Sequence, residues 1–154
     1  MYQLKYGDQY ELKWQRPLIS QADNSLAEDF NIEVNSEINK VKRFLQTSQN
    51  EIPVYFETFF SVQVPLPGDI FAQNVTLEAL LASTLSTRYK VDKTEITIKT
   101  ADQVLSKAMQ CPLFNPILQL KQVVRDKSGI VCINYAYVNC ELCQVTFQGV
   151  PDLI

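Results

Sequence analysis

The clearest pattern in the chain is a pair of alternating runs between Pro116 and Val138, PILQLKQVVRDKSGIVCINYAYV. In the first run Leu118, Leu120, Gln122 and Val124 fall on one side, and Gln119, Lys121, Val123 and Arg125 on the other. That is the period of two of a strand with one buried and one wet face. Asp126-Lys127-Ser128-Gly129 breaks the run with turn formers, and its glycine is free to take a positive φ. In the return run Val131, Ile133, Tyr135 and Tyr137 share a face, with Cys132, Asn134 and Ala136 on the other. A two-stranded hairpin is not stable alone in water, so the pattern predicts that the rest of the chain covers it.

The other segments read as follows. Tyr10–Trp14 is a short strand ended by Pro17, which restricts it to an edge or an extended arm. Asp23-Asn24-Ser25 caps a short helix through Leu26 and Phe30. Ile32 to Leu45 is strand-like, with Val41, Arg43 and Leu45 on one face near its end and Lys42 and Phe44 on the other. After a turn at Thr47–Glu51, Pro53–Val62 is aromatic and β-rich and completes a second hairpin. Pro65, Pro67 and Gly68 stop it. Asn74 or Thr76 then caps a helix carrying Leu77, Leu80, Leu81 and Leu85 on one face and ending near Arg88-Tyr89. Thr94–Lys99 alternates as a strand. Thr100 and Gln103 have capping-box form and open a helix with Val104, Leu105, Ala108 and Met109 inside, closed by Pro112 and Pro116. A last strand runs from Cys140 to Phe147. The expectation is an α+β domain, a largely antiparallel sheet with helices packed on one face.

Composition narrows the chemistry. The chain has 154 residues, enough for one domain, with 46% hydrophobic residues and a net charge of −3. It has no histidine, which removes Ser-His-Asp and Cys-His catalysis and the usual general base near neutral pH. Lys40, Lys42 and Arg43 are the nearest thing to a basic stripe, so direct nucleic-acid binding by this chain alone is not expected. The first eight residues lack the apolar stretch of a signal peptide, and no run approaches the ~20 residues a membrane helix needs. The expected location is the cytoplasm, away from membranes. Cys140 and Cys143 form a CxxC, with Cys111 and Cys132 elsewhere. A zinc site of four cysteines shows two such knuckles and a redox pair opens a helix, so these read as structural thiols, with no metal or cofactor.

The order of motifs resembles the UTRA domain, the effector-binding half of many GntR-type transcription regulators, which shares its fold with chorismate lyase. Those motifs are Val41-Lys-Arg-Phe44, Val54-Tyr-Phe-Glu57, Pro65-Leu-Pro-Gly68, the helix from Leu77, Ile98 followed by Ala101, Pro116–Leu120, Asp126–Val131 and Phe147. The resemblance covers roughly residues 26–148, leaving 1–25 as an N-terminal arm and 149–154 as a C-terminal tail. It implies a chorismate lyase-like, six-stranded antiparallel sheet, a homodimer, and a pocket between sheet and helices. It also implies a non-catalytic sensor for a small-molecule effector bearing phosphate or carboxylate. Nothing in the chain corresponds to the winged-helix domain of such regulators, and Met1 fits a stand-alone relative or the chain is a fragment.

Four residues are candidate ligand contacts. Arg43 and Lys42 match a region where the family places basic residues for anionic groups, and of these neighbours Arg43 is favoured for its forked donors. Glu57 stands where the family has an effector-contacting carboxylate, unless it faces solvent. Thr76 opens a helix whose free N–H groups suit an anion. Asn134 is the polar group on the penultimate strand. No catalytic residue is expected. A chorismate pyruvate-lyase is the enzymatic alternative, weakened because no carboxylate lies between Asp126 and Glu141. A ligand-free interaction module is the third.

Overall fold

A computed structural model describes residues 2–4, 9–69, 75–85, 87–146 and 153. Its elements are β1 (Tyr2–Leu4), β2 (Tyr10–Trp14), β3 (Leu18–Gln21), α1 (Asn24–Phe30), β4 (Glu37–Thr47), β5 (Val54–Phe60), α2 (Leu77–Thr84), β6 (Lys90–Thr100), α3 (Gln103–Met109), β7 (Pro116–Asp126), β8 (Gly129–Asn139) and β9 (Cys143–Val145). The main sheet has the order β2-β4-β5-β8-β7-β6, with β3 also paired to β4. All its pairings are antiparallel. A separate two-stranded sheet joins β1 to β9.

The β7–β8 hairpin forms as the alternation predicts. Its turn closes with Gly129 at φ 135, and the Asp126 carboxylate accepts from the Ser128 backbone N–H at 2.8 Å. β5 is buried along nearly its whole length, as a continuous apolar run requires of a central strand. β4 begins later than its pattern suggests, because Asn31 and Asn35 adopt left-handed backbone and turn the chain after α1. β6 is longer than its alternating core.

Of three helix boundaries, the first forms as expected and the other two differ. Asp23 caps α1, accepting from the Leu26 N–H at 2.9 Å. α3 is capped by Asp102, not Thr100: Thr100 ends β6, and the Asp102 carboxylate accepts from the Leu105 N–H at 2.9 Å. α2 stops at Thr84, short of Arg88. Ser83 and Thr84 both turn their hydroxyls onto the Leu80 carbonyl, at 2.9 and 2.8 Å, the local bonding that makes these residues weak helix formers. The expected last strand is confined to β9, and Phe147 lies outside the described residues.

The expectation that helices cover one face is corrected, since both faces carry them. On one face α2 inserts Leu77, Leu80 and Leu81 among Trp14, Val41, Phe60, Val124 and Cys132. Further along that face Cys143 of β9 closes over Leu45, Val54, Phe56, Leu120, Ala136 and Val138. On the reverse face α1 packs Leu26 and Ala27 on Ile38, Phe59, Val123 and Ile133, while α3 packs Leu105 and Met109 on Ile52, Tyr55 and Ile117. Val123, expected to be wet, is therefore buried. An amphipathic helix needs an apolar sheet surface, and β5 offers one on each side.

Candidate functional site

The α2 face holds a row of polar side chains between its two apolar clusters. Thr58, Asn134, Gln122 and Thr94 are successive cross-strand partners on β5, β8, β7 and β6. Directly opposite residues share a face, so the four line up across the sheet. Thr58, Asn134 and Gln122 are fully buried. Arg43 joins the row from β4 with 2% of its surface exposed. Its Nη2 donates to Asn134 Oδ1 at 3.0 Å, and Thr58 Oγ1 donates to the same oxygen at 2.8 Å. Gln122 Nε2 donates to Thr94 Oγ1 at 3.4 Å. The guanidinium lies between two rings, 4.2 Å from the Phe56 centroid and 5.0 Å from that of Trp14. Its charge also reaches Cys132, where burial pushes the thiol up to about 12 and Arg43 partly opposes that rise.

Trp14 ties this row to its cover, donating from Nε1 to the Val75 carbonyl just before α2 at 2.8 Å. Along β4, Asn39 and Val41 lie on the same face as Arg43 by alternation. Asn39 lines a cleft of about 500 Å³ together with Arg16, Pro17, Leu66, Pro67 and Gly68. Arg16 and Pro17 lie between β2 and β3, and Leu66–Gly68 follow β5. The cleft and the buried row together offer guanidinium, amide and hydroxyl groups, the donors that suit a carboxylate or phosphate.

The four residues expected from sequence do not form one site. Arg43 and Asn134 meet directly. Thr76 caps α2 over the same face, exposed, its hydroxyl accepting from the Ala79 N–H at 3.1 Å. Glu57 is on the reverse face. It pairs across strands with Lys42 rather than Arg43, bonds Lys40 Nζ at 3.0 Å and accepts from the Tyr55 hydroxyl at 3.0 Å. Sequence reasoning missed Arg16, Asn39, Thr58 and Gln122. Gln122 did carry a signal, since it is the one polar residue in the set Leu118, Leu120, Gln122, Val124.

The cysteines are dispersed. Cys132 belongs to the α2 cluster, Cys143 to the β9 cluster and Cys111 to the α3 cluster, with Cys140 half-buried at the end of β8. Among the described residues no three His, Cys, Asp or Glu side chains gather as a metal-ligand set, and no helix is long and apolar enough to cross a membrane.

This architecture, an antiparallel sheet with three helices, is the chorismate lyase-like fold of regulator effector domains. A sequence model of the UTRA domain matches residues 5–141, and the chain belongs to the UTRA domain family. Among solved structures it is similar to a GntR-family transcriptional regulator from Bacillus cereus, with a TM-score of 0.74 at 17% identity over 92% of this chain and 98% of that one. The effector domain of PhnF from Mycobacterium smegmatis gives 0.70 at 18% identity over 96% of this chain and 90% of that one. The longer PhnF chain from the same organism gives 0.71 at 18% identity over 95% of this chain and 64% of that one. No curated protein matches the chain.

Proposed function

We propose that the chain is a non-catalytic sensor unit of the GntR-regulator type that binds a small effector bearing a carboxylate or phosphate, on the α2 face. The observation that carries this reading is the buried Arg43 guanidinium, held by Asn134 and flanked by Trp14 and Phe56 on the face that also carries Asn39 of the cleft. A guanidinium is a forked donor whose geometry suits carboxylate and phosphate groups. The row beside it consists of amides and hydroxyls at Asn134, Gln122, Thr58 and Thr94. These orient a ligand but have no acid for proton transfer, which favours binding over a lyase reaction. Membership of the UTRA family supports the same role.

A thermal-shift panel of sugar phosphates, phosphonates, amino acids and chorismate tests the proposal. A ligand at a hundred times its dissociation constant adds about 2.7 kcal/mol, which for a domain of this size raises Tm by roughly 5–10 °C. Arg43→Met is expected to abolish that rise. Pyruvate release from chorismate would overturn the non-catalytic reading, and silence across the panel would overturn the anion reading.

A further inference from the structure

The polar row on the α2 face contains no acid, and its oxygens near Arg43 are already engaged. Asn134 Oδ1 accepts from Arg43 Nη2 at 3.0 Å and from Thr58 Oγ1 at 2.8 Å, which uses both lone pairs of an amide oxygen. The Asn134 amide is thereby fixed with its oxygen toward Arg43 and its N–H groups turned away. Gln122 is the next cross-strand partner, one strand further from Arg43, and Thr94 Oγ1 accepts from its Nε2. Asn134 and Gln122 are both fully buried, where water does not screen a charge.

The carboxylates around this face stand elsewhere. Glu57 is on the reverse face, bonded to Lys40 and Tyr55. Glu37 lies six residues down β4 from Arg43, about 20 Å away along a strand. Asp92, at the bulge of β6, is bonded to Lys90 and Arg125, and Asp126 is held in the main turn by Ser128 and Thr87. Asp69, beside the cleft residue Gly68, and Glu78 on α2 are both exposed. The cleft itself adds a second guanidinium, Arg16.

We propose that this row selects anions whose remaining polar groups are hydroxyls and rejects anions bearing an amino group, the neutral amides of Asn134 and Gln122 setting the choice. The inference rests on the reading of the α2 face as an anion site. With the anion at Arg43, the rest of the ligand extends along the row, because Trp14 stands opposite Arg43 on the β2 side. A substituent a few bonds away then falls one or two strand spacings from Arg43, about 5–10 Å, beside Asn134 and Gln122. A hydroxyl there donates or accepts as the amides require. An ammonium has three donors and no acceptor. It meets amide N–H groups and occupied oxygens, and it shares the space with a guanidinium of its own sign. Leaving a charged donor unsatisfied in a buried place costs more than leaving a neutral one, so the two ligand classes separate at this row.

Titration calorimetry of the whole chain with matched pairs tests this. The pairs are 2-hydroxyethylphosphonate and 2-aminoethylphosphonate, malate and aspartate, and glucose 6-phosphate and glucosamine 6-phosphate. In any pair that binds, the wild type is expected to hold the hydroxyl member at least about tenfold more tightly. Gln122→Glu keeps the side chain's shape and puts a carboxylate in the row, and it should move that ratio by about tenfold or more toward the amino member. Thr94→Asp, at the half-buried end of the row, places the charge one strand further on and should move the ratio the same way. Damage to the fold lowers both affinities together and leaves the ratio where it was. Equal or tighter binding of the amino members by the wild type would overturn this inference while leaving the anion site standing. A ratio unmoved by both acidic variants would overturn the assignment to the row. Absence of binding by all six compounds would overturn the α2-face reading itself, and this inference with it.

Discussion

Arg43 is a side chain whose packing and binding roles can be separated, by comparing Arg43→Ala with Arg43→Met. Both remove the hydrogen bond to Asn134 Oδ1 at 3.0 Å. A bond from a charged donor contributes about 1.5–3 kcal/mol. The low end applies here, because Thr58 still donates to the same oxygen at 2.8 Å and leaves no orphan acceptor. The 3.5 Å contact from Arg43 to Thr58 is too long to add much. Both substitutions also release the desolvation cost of the guanidinium, several kcal/mol in the opposite sense. They differ in what remains between Phe56 and Trp14. Methionine keeps the apolar stem between the two rings, whereas alanine empties that space, at about 0.8 kcal/mol per buried methylene plus a cavity cost. Arg43→Ala is therefore expected to be less stable than Arg43→Met by about 2 kcal/mol, or roughly 4–8 °C in Tm. Urea and thermal unfolding followed by circular dichroism measure this. In the ligand panel the two variants should agree, both losing the response to anions. If alanine and methionine cost the same, or if either retains the response, the guanidinium is not acting as argued.

The remaining predictions concern the reverse face and the main turn. Glu57→Gln breaks the 3.0 Å bridge to Lys40 and is expected to cost about 1 kcal/mol, while leaving the ligand-induced rise in Tm intact; loss of that rise would bring the reverse face into the site. Burial, and then the Glu57 carboxylate, hold the Tyr55 hydroxyl well above its ordinary range, and burial does the same for Tyr137. A phenol whose folded pKa is raised contributes stability that is present below the unfolded value of about 10 and is lost as pH rises above it. The urea midpoint should therefore fall from pH 9 to pH 11, and Tyr55→Phe should flatten the fall; an unchanged slope would count against the assignment. Gly129→Ala should destabilise by about 1–2 kcal/mol, although a Cβ there meets nothing within 4 Å, because φ 135 is a conformation side chains rarely adopt; a neutral urea midpoint would show that the turn relaxes.

How far the fold could be read from the sequence depended on whether an element states its own periodicity. The β7–β8 hairpin did so through alternation and Asp-Lys-Ser-Gly, and α1 through its acidic cap. β3 did not. Leu18-Ile-Ser-Gln has neighbouring apolar residues, both exposed, and no alternation, so its strand state comes from pairing with β4 rather than from propensity. The side of the sheet each helix covers was equally hidden. The leucine stripe of α2 shows which side of the helix is buried, but the partner surface is fixed by connections that carry no such stripe.

The candidate site was legible one residue at a time and illegible as an arrangement, because strand register decides it. Arg43 and Asn134 are 91 positions apart and meet only through the pairings β4–β5 and β5–β8. The first of these is set in the β4–β5 turn. There Asn50 adopts left-handed backbone, the Thr47 N–H bonds the Glu51 carbonyl at 2.9 Å, and the Glu51 N–H returns to the Thr47 hydroxyl at 3.1 Å. That closure puts Phe56 opposite Arg43 and Glu57 opposite Lys42. A turn one residue longer or shorter in register would exchange them, since a slip of one moves every side chain of a strand to the other face. Glu57 would then join Arg43 on the α2 face, and Thr58 would leave it. That the proposed binding face reads Arg, Thr, Asn, Gln rather than Arg, Glu is thus a consequence of a short turn, not of the residues on the strands. Inserting a glycine next to Asn50 should accordingly disturb anion binding far more than its exposed position suggests.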